Sequence, residues 1–160
     1  MAIEIEHKFL LANNNWRNYI THSVNYQQGY LSSQPTSSIR IRISNNNAWI
    51  NIKSATIGES RNEYEYEIPF HDANEIIQNL CKKPIITKTR YFVTHEQHIW
   101  EIDEFHGENE GLIVAEIELT KIDESYAKPD WVGNEVTDDL RYYNNNLANK
   151  PYSLWTKDIN

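Results

Sequence analysis

Charges recur at every second position in six stretches of this chain, and their types define a chemistry. Carboxylates occupy Glu4 and Glu6, then Glu63, Glu65 and Glu67, then Glu101 and Asp103, then Glu116 and Glu118. Cations occupy Lys8, Arg40 and Arg42, Lys53, and Lys88 and Arg90. Guanidinium forks match phosphate oxygens two at a time, and lysines act as point charges. Clustered carboxylates without histidine or cysteine partners favour a hard cation such as Mg²⁺ or Mn²⁺. Combined, these groups suit a polyphosphate chain: the metal bridges phosphate oxygens, the bases neutralise the remainder, and a metal-held water attacks. The alternative is mutual salt bridging, although buried ion pairs are costly to desolvate and seldom assembled for stability alone.

Spacing decides how such residues could meet. Period two is the strand period, so each stretch puts charges on one face and apolar residues on the other. Six strands of this kind imply one shared polar surface, a sheet curled around a charged cavity. Glu67, Glu101 and Arg61 could be rim charges, and His7 falls on the outer face by parity. Outward faces such as Ile39-Ile41-Ile43 and Ile117-Leu119 then need covering, at about 25 cal/mol per Å² removed from water. The hydrophobic core is therefore expected between barrel and helices, not inside the barrel.

Strand signals fall near residues 2–10, 27–32, 38–44, 47–54, 62–69, 86–94, 97–105 and 112–120, spaced as in an antiparallel meander or barrel. Asn45-Asn46-Asn47 suits a tight turn because asparagine tolerates positive φ; His95-Glu96-Gln97 and Gly107 to Gly111 suit further turns. Helices are expected over 13–25 (Trp16, Tyr19, Ile20, Val24), from Asp72 to before Pro84 (Ile76, Ile77, Leu80), and over 138–149 (Leu140, Tyr143, Leu147). Cys81 falls on an apolar helix face and is expected in the core; His95 and His98 are expected in solvent. The expected fold is α+β, an antiparallel barrel with a charged lumen and helices packed outside, in one domain spanning 1–160.

The length of 160 residues allows a core without staples. With 23 acidic against 15 basic residues the net charge is −8, which argues against a general nucleic-acid partner, since phosphate contacts dominate that affinity. No apolar run approaches the roughly 20 residues of a membrane helix. Lone Cys81 and the absence of a signal segment point to a cytoplasmic protein with no membrane partner. Exposed tyrosines and tryptophans allow a homodimer.

Glu4-Ile5-Glu6-His7-Lys8 matches the ExExK signature of the CYTH superfamily, the triphosphate tunnel metalloenzymes. The resemblance runs through Gln28-Gly29-Tyr30-Leu31, Arg40-Ile41-Arg42, Lys53, Glu63 to Ile68, Lys88-Thr89-Arg90, Trp100 to Phe105 and Glu116 to Leu119. The tail, Trp131 to Asp139 and Arg141 to Asn144, resembles the short bacterial branch of inorganic triphosphatases. It implies an eight-stranded antiparallel tunnel binding triphosphate and a divalent metal, Mg²⁺ or Mn²⁺. By position, Glu4, Glu6 and Glu118 would hold the bridging metal. Lys8, Arg40, Arg42, Lys53, Lys88 and Arg90 would bind phosphate oxygens, with Tyr30 either orienting an arginine or simply packing. Glu63, Glu65, Asp103 and Glu116 would hold a second metal or orient the attacking water. The segment 138–149 either closes one tunnel mouth or packs outside. Hydrolysis of inorganic triphosphate leads; a class IV adenylyl cyclase, a thiamine triphosphatase and a non-catalytic polyphosphate-binding module are the rivals.

Overall fold

The computed structural model describes residues 2–34, 36–54 and 60–157. The chain forms nine antiparallel strands: β1 (Ala2–Leu11), β2 (Ile20–Ser33), β3 (Ser37–Ser44), β4 (Asn47–Ser54), β5 (Ser60–Ile68), β6 (Ile86–His95), β7 (His98–Phe105), β8 (Ile113–Leu119) and β9 (Val132–Glu135). They follow the order β5-β4-β3-β2-β6-β7-β8-β1-β9, and β5 also pairs with β1. Eight strands therefore close into a barrel, the α+β tunnel architecture expected. One edge of β1 is held by β8; the other is shared, β5 taking Ala2–Ile5 and β9 taking Phe9–Leu11. The turn residues Asn45 and Glu96 sit at φ 56° and 55°, the left-handed conformation that tight connections need.

The short strand β9 carries no alternation that sequence reasoning could detect. It depends on Gly133, where a Cβ would meet the Leu10 carbonyl oxygen at 2.9 Å, so only glycine lets the backbones approach.

Two apolar clusters lie outside the barrel. Helix α1 (Phe70–Asn79) buries Ala73 and Ile77 against Ile41, Ile43 and Ala48 of β3 and β4. Cys81 is buried in this cluster, as expected, while Leu80 is 66% exposed instead of facing inward. Gly29 permits the close approach, since a Cβ there would stand 2.8 Å from the Cys81 Cβ. The opposite flank is covered by irregular chain rather than by helix: Trp16, Tyr126 and Trp131 pack over Phe9, Val93, Trp100, Ile102 and Ile117. Each such buried aromatic removes about 150–250 Å² from water. Among the described residues no helix is long and apolar enough to cross a membrane.

Three expectations change. The helix over 13–25 is a single 3₁₀ turn, Asn15–Tyr19, followed by β2. Its presumed stripe is not buried as one, because Tyr19 is 61% exposed. Residues from Ile20 pair with β6 down to Gln28–Ile86, and this ladder, needed to close the ring, overrides the helical periodicity. The helix over 138–149 is a 3₁₀ turn, Leu140–Tyr142, and then α2 (Asn144–Asn149), separated by an extended Tyr143. The break falls at Tyr143, whose hydroxyl donates back to the Thr137 carbonyl, while Asn146 Nδ2 donates to the Leu140 carbonyl across it.

The third change concerns the core. Ile86, Phe105 and Val114 share the inward parity of Lys88, Asp103 and Glu116, and they join Tyr30 and Leu112 in an apolar cluster. Leu147 and Ala148 of α2 and Trp155 complete it. One end of the barrel is thus filled with hydrophobic side chains, the apolar Phe105 and Val114 standing directly opposite Lys88 and Asp103 in the register. Helix α2 seals that end.

Candidate active site

Above this plug the barrel interior holds a cavity of about 190 Å³. It is lined by Glu4, Glu6 and Lys8 from β1, Tyr30 from β2, Ser38, Arg40 and Arg42 from β3, Asn51 and Lys53 from β4, and Arg61, Glu63 and Glu65 from β5. Arg90, Glu101, Glu116 and Glu118 come from β6, β7 and β8, and Tyr143, Asn144 and Asn145 close the lining. All eight barrel strands contribute, and those that give more than one residue do so at every second position. A volume below the roughly 300–1,000 Å³ of drug-sized sites suits a small polyanion with its ions.

Register turns the alternation into contacts. Lys8 stands opposite Glu116, Lys53 opposite Glu63 and Arg90 opposite Asp103. The Lys8 ammonium donates to Glu116 and lies 3.6 Å from Glu6. Lys53 reaches Glu4 at 2.7 Å and Glu63 at 3.5 Å. Asn51 Nδ2 donates to both Glu63 and Glu65, at 3.2 and 2.9 Å, and Arg40 lies 3.8 Å from Glu65. Burial would lower the Lys8 ammonium, but Glu116 and Glu6 outweigh it and raise it. For Lys53 burial wins over Glu4, and its pKa falls.

Lys88 and Asp103 are inward but do not line the cavity. They lie beneath it, fully buried, with the Lys88 ammonium 5.6 Å from the centre of the Phe105 ring. Asp103 accepts from Lys88 at 2.7 Å and from the Arg90 fork at 2.8 and 2.9 Å. Burial acts to raise the Asp103 carboxyl, yet Arg90 and Lys88 hold it down at about 2. Arg90 also pairs with Glu101; for Lys88 burial outweighs Asp103, Arg90 and Arg42 add repulsion, and its pKa is pushed down to about 7. Arg42 donates Nε to Gln28 and stacks 4.5 Å from the Tyr26 ring. Burial, then Arg40 and Arg90, press it to about 10.

Some pairings across the sheet are repulsive. Glu6 faces Glu118 and Glu101 faces Glu116, and like charges directly opposite destabilise a sheet. Glu118 has no cation within salt-bridge distance among the described residues; burial, then Glu4, Glu101, Glu6 and Glu63, push it up to about 7. The Glu4 Oε1 atom is buried without a hydrogen-bond partner. No three histidine, cysteine, aspartate or glutamate side chains among the described residues form a ready-made metal cage. An all-oxygen donor set with surplus negative charge nevertheless fits Mg²⁺ or Mn²⁺, which retain waters and take oxygens from a bound phosphate instead of needing a full protein cage.

Of the residues given a role at the site, all but Lys88 and Asp103 line the cavity. Glu67 is exposed beyond it, while Glu101 lies within it. His7 faces outward, bonding Glu135 at 2.7 Å and packing near Tyr126; His98 is not solvated as expected but bonds Glu124 at 2.6 Å. Arg61 and Asn51 were missed as lumen residues, although each shares the parity of inward neighbours. Asn144 and Asn145 open α2, inside the segment 138–149 expected to close a tunnel mouth or pack outside, but no alternation marks them individually as lining residues.

Comparison with known proteins agrees with this geometry. The CYTH domain model matches residues 2–152. An inorganic triphosphatase of Acetivibrio thermocellus is 47% identical over 152 residues, spanning 95% of this chain and 97% of that protein. One from Nitrosomonas europaea is 35% identical over 150 residues, spanning 91% and 96%. A crystal structure of an inorganic triphosphatase superposes with a TM-score of 0.66 at 30% identity, over 92% of this chain and 95% of that one. With its eight-stranded tunnel and a match across almost its whole length, the chain belongs to the CYTH domain family.

Proposed function

We propose that this protein hydrolyses inorganic triphosphate to pyrophosphate and phosphate with the help of a divalent cation. The observation that carries the reading is one cavity in which cations and carboxylates from seven of the eight barrel strands meet. The names of the curated relatives support it.

In this reading Lys8, Arg40, Arg42, Lys53 and Arg90 bind phosphate oxygens and offset the charge that spreads over them during transfer. Glu4, Glu6 and Glu118 hold the cation. Mg²⁺ or Mn²⁺, when bound, supplies Lewis-acid polarisation of the phosphate oxygens. Glu63 and Glu65, tied together through Asn51, and Glu116 orient the attacking water, which displaces pyrophosphate in line. Asp103 has both oxygens taken by Lys88 and Arg90, so it serves by fixing Arg90 beneath the substrate. Lys88 acts from the same buried layer.

The test is phosphate release with Mg²⁺ or Mn²⁺ from inorganic triphosphate, ATP, thiamine triphosphate and longer polyphosphate. Rapid release from inorganic triphosphate is expected, with poor turnover of ATP because the lumen is lined mainly by charged groups that grip phosphate rather than a base. Cyclic AMP from ATP would replace the reading with the cyclase, and tight binding without turnover with a polyphosphate-binding module.

A further inference from the structure

Arg61 occupies an unusual position at the seam where the barrel closes. It stands opposite Glu4 in the β1–β5 register, and its Nη2 lies 3.7 Å from Glu4 Oε1 and 3.7 Å from Glu6 Oε1. Both separations exceed the 2.7–3.2 Å of an N–H···O bond. The guanidinium therefore hovers between two carboxylates without bonding either, and Glu4 Oε1 stays buried with no hydrogen bond. A compact cation that approaches carboxylate oxygens at roughly 2.1 Å would satisfy these atoms better. The Tyr143 ring stands 5.5 Å from the guanidinium carbon. Arg61 also borders a second compartment beside the lumen, lined by neutral groups such as Ser33, Ser37, Asn145 and Asn146. It thus has both a reason to leave the carboxylates and a place to go.

We infer that Arg61 is an internal counter-ion, resting on Glu4 and Glu6 in the metal-free protein and displaced by the divalent cation toward the phosphate chain. The inference rests on the triphosphatase reading and adds to it a coupling between the two ligands. Without a polyanion, the displaced guanidinium has only the neutral compartment to enter, loses its anionic partners and weakens metal binding. With a polyanion in the lumen, the same guanidinium gains an anionic partner and the penalty disappears. Arg61 makes metal and substrate bind together rather than separately. Because coupling between sites is reciprocal, each ligand should tighten the other by the same factor.

Calorimetric titration of Mn²⁺ tests this, with and without saturating imidotriphosphate, a triphosphate analogue whose bridging nitrogens resist hydrolysis. Arg61→Gln should bind Mn²⁺ alone about tenfold more tightly than wild type, the effect of removing one competing charge. The enhancement by imidotriphosphate should shrink by a similar factor. Arg61→Lys keeps the charge and should restore most of the coupling, and it carries the test if the glutamine variant does not melt cooperatively. Unchanged or weaker Mn²⁺ binding by Arg61→Gln, with wild-type coupling, overturns the inference while leaving the triphosphatase reading intact. A wild-type protein that binds neither Mn²⁺ nor imidotriphosphate overturns both.

Discussion

Replacing Asp103 by asparagine preserves shape and removes the one carboxylate that Lys88 and Arg90 share. Holding Asp103 at about 2, against an ordinary 3.8, contributes about 2.5 kcal/mol at neutral pH, at 1.36 kcal/mol per pH unit. Removing one partner of a buried pair costs about 3–5 kcal/mol because the other charge is stranded. Lys88, already near 7, can release its proton and relieve part of that, so the expected loss is about 3 kcal/mol. For a chain of this length that lowers Tm by roughly 6–12 °C. A depressed carboxyl gives stability that is complete above about pH 4 and lost as pH falls through about 2. Urea unfolding of wild type and Asp103→Asn from neutral pH down to about 2 should show a wide gap that narrows at the acid end. A variant within about 0.5 kcal/mol of wild type at neutral pH, or a gap unchanged at acid pH, refutes the clamp role.

Other substitutions address the remaining parts. Lys8→Ala and Arg40→Ala should each lower kcat/KM for inorganic triphosphate by about 100-fold or more, as loss of a transition-state donor does, with circular dichroism unchanged; normal turnover would remove them from the site. Glu118 must lose its proton to hold a cation, so Mn²⁺ affinity should rise with pH through about 7, and titration of Glu118→Gln should show a flatter profile; the same raised carboxyl makes the metal-free fold lose stability as pH rises from the ordinary carboxylate range through 7. Gly29→Ala should cost about 1–3 kcal/mol by forcing Cys81 away, read as a lower Tm; an unchanged Tm would show that α1 can shift freely.

The charged half of the barrel was legible because period-two alternation states both the strand and the face. The residues of Arg40-Ile41-Arg42 and Glu116-Ile117-Glu118 could be assigned inward and outward without knowing any partner. Arg61 and Asn51 obey the same parity and were within reach of the rule. What alternation cannot state is depth along the barrel. Lys88 and Arg90 look equivalent in sequence, but one lies below the cavity and the other in its wall, because strand tilt and the β2–β6 register set their heights. Nor does it reveal that Ile86, Phe105 and Val114 face inward, since an apolar residue at an inward position reads as a lapse in the pattern. The segment from 13 to 25 misled because Trp16, Tyr19, Ile20 and Val24 fit a helical stripe, while the ladder to β6 that decides the matter is non-local.

Two groups in the lumen lack compensation, and they have opposite signs. Arg42 has no carboxylate within salt-bridge distance among the described residues, only Gln28 and the face of Tyr26. Glu118 feels, after burial, chiefly the other carboxylates Glu4, Glu101, Glu6 and Glu63. A polyanion would satisfy the first and a divalent cation the second, so the site is matched to the complex of both. Such a site should be less stable than its neutralised counterpart. Arg42 is pressed from 12.5 to about 10; discounted for its partial exposure, this strain amounts to about 1–2 kcal/mol. Arg42→Met should therefore raise the Tm of the ligand-free protein by roughly 2–8 °C while weakening inorganic triphosphate binding. Differential scanning calorimetry beside a triphosphate titration reads both quantities. A variant that melts lower than wild type, with its fold otherwise retained, would mean that Arg42 is compensated within the protein and that the lumen is not poised for an anion there.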